Sequence, residues 1–153
     1  KICNKISPPR NYCIKSNDFM TKKKSPINNE KWRQLSITAW KHKENARILG
    51  KTKVGAAVLS GNEIFGGCNI EHQFRSHDIH SEISAISSMI SSGNKKLDAI
   101  LVVSDRDKFT PCGGCLDWIF EFGGPKCLVG YQTKIDGEIT IFEAQELMPH
   151  YPS

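Results

Sequence analysis

The sequence lacks any long apolar run, and no stretch approaches the ~20 consecutive apolar residues that a membrane-spanning helix requires. It also lacks internal repeats and shows no secretory signal. These absences lead us to expect a cytoplasmic protein without a membrane partner. Its 153 residues, of which 39% are hydrophobic, suffice for one domain with a packed core.

Acidic residues are scarce in the first third of the chain. Residues 1–53 hold 14 Lys and Arg against 3 Asp and Glu, whereas residues 54–153 hold 7 against 13. A basic segment of this kind can bind phosphate or nucleic acid, although an exposed Lys-rich leader is the simpler interpretation. Residues 1–28 lack hydrophobic periodicity, so we predict a basic, flexible arm there and one domain over residues 29–153.

The remaining sequence alternates between two hydrophobic periods, which predicts the order α-β-β-α-β-α-β-β-α. A helix is expected from Asn29, with Trp32, Leu35, Ala39 and Ala46 near one face. Two short apolar runs on either side of residues 60–62, Ser-Gly-Asn, indicate a β-hairpin. The predicted fold class is α/β, with a mixed sheet of about five strands sandwiched by helices.

Two further helices carry residues that matter for chemistry. One is expected to begin near Ile79, with one buried stripe formed by Ile79, Ile83, Ile86 and Ile90. The other is expected to begin at Pro111, because proline is favoured in the first helical turn. Helix N-termini stabilise anions such as thiolates.

Three side chains near these helix starts have the spacing of a metal site. Cys112 and Cys115 are separated by two glycines, and His80 opens the preceding helix. Zinc takes sulfur and nitrogen ligands in tetrahedral geometry, and a catalytic zinc keeps one position open for water. A Cys-x-x-Cys pair alone is also typical of redox pairs and of structural zinc sites. The conjunction with His-x-Glu is more specific and predicts a catalytic zinc with reduced thiols.

Glu82 is the residue that points to catalysis. It lies two positions beyond His80, so its carboxylate should approach the metal without being needed as a ligand. A carboxylate there can take a proton from water at the zinc and return it to a substrate nitrogen.

With these motifs in view, the sequence resembles the cytidine deaminase family over roughly residues 30–150. The segments that carry the resemblance are VGAAVL at 54–59, GGCNIE at 66–71, PCGGC at 111–115 and ELMP at 146–149. The step of eleven residues from Asn69 to His80 also matches the family's spacing. A histidine ligand is like the two-domain dimeric members, and the chain length is like the one-domain tetrameric members.

The resemblance implies the three-layer cytidine deaminase fold, a Zn²⁺ cofactor and hydrolytic deamination of cytidine or deoxycytidine in pyrimidine salvage, with release of ammonia. It implies that Asn69 and Glu71 hydrogen-bond the ribose at its 3′-hydroxyl, and that the Ser81 backbone helps to read the pyrimidine edge. Glu82 would be the proton shuttle. The implied zinc ligands are His80, Cys112 and Cys115. The implied partners are a pyrimidine nucleoside and further copies of the chain, with a tetramer favoured and a dimer possible.

Three positions depart from the family pattern. Thr52 and Lys53 stand where members usually carry Phe-Pro, and the phenylalanine of that pair lines the base pocket. Arg75 stands where members often have tyrosine. These departures leave the exact nucleoside open.

Three other functions compete with nucleoside deamination. A polynucleotide cytosine deaminase would use the basic arm, but a phosphodiester would repel Glu71, so nucleic acid is not the expected partner. Nucleoside-antibiotic deaminases of the blasticidin type lack a glutamate at the position of Glu71. A zinc-stabilised binding module would have no use for the Glu82 carboxylate.

Overall fold

The computed structural model describes residues 26–107 and 109–152. The predicted arm, residues 1–28, lies outside the described residues apart from its last three, so it stays a prediction. The described elements are α1 (Asn29–Glu44), β1 (Val54–Ser60), β2 (Glu63–Cys68), α2 (Ser81–Ser91), β3 (Ala99–Ser104), α3 (Gly113–Gly123), β4 (Leu128–Gln132), β5 (Thr140–Glu143) and α4 (Ala144–Leu147). This is the element order that the sequence predicts.

The five strands form one mixed sheet in the order β2-β1-β3-β4-β5. β3 and β4 pair in parallel, and the other neighbours pair antiparallel. Ser60 pairs with Glu63, so the predicted hairpin has a two-residue turn, and Gly61 takes a φ of 58° in it. The predicted α/β class and mixed sheet are confirmed.

Helices cover both faces of the sheet. The packed residues on the α1 face include Trp32, Leu35 and Ala39, as predicted. The prediction is wrong for Ala46, because α1 ends at Glu44. α1 begins where it does because the Asn28 side chain accepts a hydrogen bond from Lys31 N at 2.9 Å. α2 and α3 pack on the opposite face, and that second core contains Ala85, Ile86, Met89, Leu116 and Ile119. Among the described helices, none is long and apolar enough to cross a bilayer.

The predicted isoleucine stripe of α2 is confirmed at Ile86, which is fully buried, but is wrong at its two ends. Ile79 is 41% exposed and Ile90 is 36% exposed, whereas Glu82 and Met89 are buried. Ile79 is held in extended backbone by two hydrogen bonds with Ile70, at 2.8 and 2.9 Å, so the helix begins only at Ser81. The buried residues of α2 are Ser81, Glu82, Ala85, Ile86 and Met89, so Glu82 lies on the buried side of the helix.

The backbone of α2 rests directly on β2. A Cβ atom added at Gly67 would lie 2.3 Å from Ala85 N and 2.7 Å from Ser81 O. Only glycine allows this approach, since no larger side chain fits between the strand and the helix. The contact fixes the height of the α2 N-terminus above the sheet, and that N-terminus carries His80 and Glu82.

Candidate functional site

The N-termini of α2 and α3 meet at one place in the structure. His80 is the N-cap residue of α2 and Cys112 is the N-cap residue of α3, and β3 lies between the two helices along the chain. Both residues have extended backbone, and neither side chain makes a capping hydrogen bond. The imidazole and the thiol are therefore free to face each other.

Three potential ligand atoms lie close together at this meeting point. His80 Nδ1 is 3.3 Å from Cys115 Sγ and 3.4 Å from Cys112 Sγ, and the two sulfur atoms are 3.6 Å apart. Tetrahedral zinc, with bonds of about 2.3 Å to sulfur and about 2.0–2.1 Å to nitrogen, requires S···S near 3.8 Å and S···N near 3.6 Å. The observed spacings fit a bound zinc to within about 0.3 Å. These three residues are also the one group of close His, Cys, Asp or Glu ligands found among the described residues.

The electrostatics of the site also suit a cation. Burial raises the pKa of the Cys115 thiol far above its ordinary range, and the nearby Glu82 carboxylate and Cys112 raise it further. The thiolate is the form that binds a metal, and a divalent cation among these groups would offset the burial and the negative charge. The donor set and its charge therefore fit zinc.

Glu82 lies against this group and is only 3% exposed. Its carboxylate accepts a hydrogen bond from Ser81 Oγ at 2.9 Å, and it raises the pKa of the neighbouring Cys115 thiol. The carboxylate is not one of the three clustered ligand atoms, which is the placement that the His-x-Glu spacing predicts.

A cavity of about 470 Å³ opens beside the three potential ligands. Its volume lies within the range of about 300–1,000 Å³ typical of small-molecule sites. Its lining includes His80, Glu82 and Cys112, and also Asn69 and Glu71. The structure therefore brings two of the three predicted metal residues and both predicted ribose residues to one cavity, while Cys115 lies buried behind His80 and Cys112.

Asn69 lines the cavity but also holds the start of β1. Its Oδ1 accepts a hydrogen bond from Val54 N at 2.8 Å, and its Nδ2 donates to Thr52 O at 3.0 Å. The side chain thus bridges the strand start and the preceding residues, a structural role that the sequence did not reveal. One amide N–H of Nδ2 has no partner among the described residues.

Three donors stabilise the ionised form of the Glu71 carboxylate. Its Oε2 accepts hydrogen bonds from Leu49 N and Gly50 N, and Arg75 Nη1 lies 2.8 Å from the same oxygen. The hydrogen bond from Arg75, followed by those from Gly50 and Leu49, lowers the pKa of Glu71 to about 2. The carboxylate therefore stays charged throughout the physiological range.

The three departures from the family pattern have different surroundings. Thr52 and Arg75 line the cavity. Lys53 instead donates to Glu44 O at 3.2 Å, at the end of α1. Of the three, Thr52 and Arg75 are therefore the ones placed to contact a ligand.

Part of the cavity wall was missed by the sequence analysis. Arg106, Phe109 and Thr110 come from the segment between β3 and α3 and also line the cavity. The sequence indicates only that they lie just before Cys112. It does not predict that these three residues line the cavity, because that depends on the conformation of the loop.

The sequence also matches a known protein family. The family described as "Cytidine and deoxycytidylate deaminase zinc-binding region" matches residues 28–131. That range contains all the predicted site residues.

Proteins that are similar to this chain in sequence are named as cytidine deaminases. A Dictyostelium discoideum protein named "Probable cytidine deaminase" is 39% identical over 74 residues, which are 46% of this chain and 50% of that protein. A cytidine deaminase of Mycoplasma genitalium is 34% identical over 76 residues, 48% of this chain and 58% of that protein. The chain thus spans about half the length of these relatives.

The fold agrees with that of solved structures. The crystal structure of cytidine deaminase from Burkholderia pseudomallei superimposes with a TM-score of 0.71 and 26% sequence identity. The match covers 81% of this chain and 98% of that one. The likeness therefore extends over the whole sheet and its helices.

Proposed function

Since this chain belongs to the family defined by the cytidine and deoxycytidylate deaminase zinc-binding region, we propose that it deaminates cytidine or deoxycytidine by hydrolysis. The reaction converts the 4-amino pyrimidine and water into the uridine product and ammonia. The observation that carries the proposal is the group of His80, Cys112 and Cys115 at tetrahedral spacing, with Glu82 beside it at the cavity. The named relatives favour nucleosides over the polynucleotide and antibiotic alternatives.

The proposed zinc ligands are His80 through Nδ1 and the thiolates of Cys112 and Cys115. Zinc held by three protein ligands supplies Lewis acidity, which lowers the pKa of a water molecule toward ~7. The fit rests on the distances among the three ligand atoms and on their sulfur and nitrogen chemistry.

Glu82 is the proposed proton carrier. Its carboxylate takes a proton from the attacking water and delivers it to ring nitrogen N3, which makes C4 more electrophilic. It then carries the second proton to the departing amino nitrogen, so that ammonia leaves. The hydrogen bond from Ser81 Oγ holds the carboxylate in place without using both of its oxygens.

Three further residues are proposed to bind the nucleoside. Asn69 and Glu71 would take the sugar, because both line the wall of the cavity. Asn69 can use its remaining amide N–H, and Glu71 its Oε1 oxygen. The Ser81 backbone would meet the pyrimidine edge, since Ser81 lies between the proposed ligand His80 and Glu82.

The proposal extends to the domain organisation, the oligomeric state and the cellular compartment of the protein. We assign residues 29–153 to the deaminase domain and residues 1–28 to a basic arm, and we expect a homo-oligomer. A reducing cytoplasm suits the four described cysteines, which are all free thiols: Cys68, Cys112, Cys115 and Cys127.

The test is ammonia release by the zinc-loaded protein. Cytidine, deoxycytidine, cytidine 3′-phosphate and a single-stranded oligonucleotide are compared at equal cytosine concentration. We expect turnover of the two nucleosides and little of the other two, because a phosphate at the 3′-oxygen removes a donor and repels the Glu71 carboxylate. No ammonia from either nucleoside, or faster release from the oligonucleotide, would reject the proposal.

A further inference from the structure

Arg75 joins two carboxylates on the wall of the cavity. Its Nη1 lies 2.8 Å from Glu71 Oε2, and its Nε lies 3.0 Å from Asp78 Oδ2. Asp78 in turn accepts a hydrogen bond from His72 N at 2.6 Å. These contacts tie the segment from Glu71 to Asp78 to one guanidinium group.

The contacts of Glu71 are unevenly divided between its two oxygens. All three donors, which are two backbone N–H groups and Arg75, bind Oε2. Within the described ranges 26–107 and 109–152, Oε1 has no hydrogen-bond partner. The carboxylate is therefore held by one oxygen, while the other remains available to a ligand.

We propose that Arg75 is a positioning residue, which turns Oε1 of Glu71 toward the sugar hydroxyl of the substrate. This inference rests on the proposed function. The two backbone donors both come from the loop at Leu49 and Gly50, so without Arg75 the carboxylate would be held from that loop alone. Arg75 approaches from the 71–78 segment and adds a second direction of restraint.

The chemistry of arginine suits this role better than the tyrosine common in the family. A guanidinium presents donors in a rigid planar fork, so one group can bind two carboxylates at once. Glu71 and Asp78 are 12% and 15% exposed in their side chains, and Arg75 is 59% exposed. The fork thus holds two largely buried carboxylates from the open side of the cavity.

The test compares cytidine with 2′,3′-dideoxycytidine, which lacks the sugar hydroxyls. For Arg75→Met we expect KM for cytidine to rise about 10-fold, the size of one hydrogen bond to a charged group, with kcat within about 2-fold. KM for dideoxycytidine should stay unchanged, since that substrate never uses Oε1. Arg75→Lys should give a smaller rise, again for cytidine alone, because lysine keeps the positive charge but lacks the rigid planar fork of arginine.

The matched control is Arg33→Met. Arg33 is likewise an exposed arginine near a glutamate, with Nη1 3.9 Å from Glu30 Oε1, but it lies on α1. We expect this variant to leave both KM values unchanged. Zinc content and circular dichroism verify that each variant is folded.

The two proposals fail in different ways. A wild-type protein inactive on both nucleosides would reject the proposed function and this inference with it. An active wild type whose Arg75→Met variant shows no rise in KM, or an equal rise for both substrates, would reject the positioning role alone. If Arg75→Met does not fold, the two KM values are compared in Arg75→Lys instead. An unchanged KM for cytidine, or an equal rise for both substrates, would then reject the positioning role.

Discussion

Glu82 has few structural reasons to be where it is. A buried carboxylate costs free energy unless it is paired or hydrogen-bonded, and among the described residues the one side-chain hydrogen bond to Glu82 comes from Ser81. Carboxylates buried in this way are typical of functional sites, which supports the proposed proton transfer.

Replacing Glu82 by glutamine tests this explanation. Glu82→Gln keeps the shape of the side chain, so fold and one zinc ion per chain should remain. Turnover of cytidine should fall by at least ~10²–10⁴-fold, the usual contribution of a positioned acid–base group. Steady-state kinetics and metal analysis give the two readouts. Exposed Glu138→Gln is the control, and near-normal turnover by Glu82→Gln would show that the assigned mechanism is wrong.

Glu71 leads to a prediction about pH. Its pKa is lowered from 4.5 to about 2, chiefly by the Arg75 hydrogen bond, so the folded state binds a proton less readily than the unfolded chain. The stabilisation by Glu71 is therefore complete above pH ~4.5 and is lost as the pH falls toward ~2. Urea unfolding of wild type and Glu71→Gln at several pH values should show a stability difference that shrinks below pH ~4.5. A difference that is constant across this range would contradict the shift.

At the scale of elements, the close contact between β2 and α2 determines where the proposed catalytic residues lie. Gly67 carries no side chain, and α2 fills the space that a Cβ would need. By contrast, a Cβ at Gly114 in α3 would meet no atom within 4 Å. A glycine-to-alanine substitution can therefore be compared at Gly67, where a Cβ has no room, and at Gly114, where it has.

The Gly67→Ala variant should lift the N-terminus of α2 from the sheet. Overpacking of this kind typically costs about 1–3 kcal/mol, so the free energy of unfolding should fall by that amount. Activity should fall as well, since His80 and Glu82 move with the helix. Gly114→Ala should be neutral or stabilising by up to ~1 kcal/mol, because alanine is the better helix former. Thermal denaturation measures both, and equal stability of the two variants would contradict the packing argument.

On the scale of the whole molecule, large apolar side chains remain at the surface. Phe74 is 65% exposed, Ile135 is 67% exposed and Trp118 is 37% exposed. An assembly of several copies would bury large apolar side chains of this kind. It supports the proposed homo-oligomer.

We expect a tetramer with four times the chain mass of 17.1 kDa. Burying the exposed aromatic and aliphatic side chains between copies would stabilise it. Light scattering coupled to size-exclusion chromatography, at the protein concentration of the activity assay, measures the mass directly. A stable and fully active monomer would contradict this prediction, and a dimer would favour the assembly of the two-domain members.

Local patterns in the sequence were enough to predict the elements and the chemistry of the site. The apolar run of β3, the turn at Gly61 and the α1 face of Trp32, Leu35 and Ala39 each depend on neighbours within a few residues. The three proposed ligands could likewise be chosen from residue type and spacing. The structure agrees with these predictions because such preferences act along the chain.

Contacts between distant segments were decided only by the tertiary structure. The phase of α2 depends on the pairing of Ile79 with Ile70 and on the gap above Gly67, which no periodicity reports. The restraint of Glu71 depends on a loop more than twenty residues earlier. The close spacing of His80 with the two cysteines requires the N-termini of α2 and α3 to meet at one point. Hydrophobic periodicity specifies which face of an element is buried, but the height and rotation of that element are set by the side chains it meets.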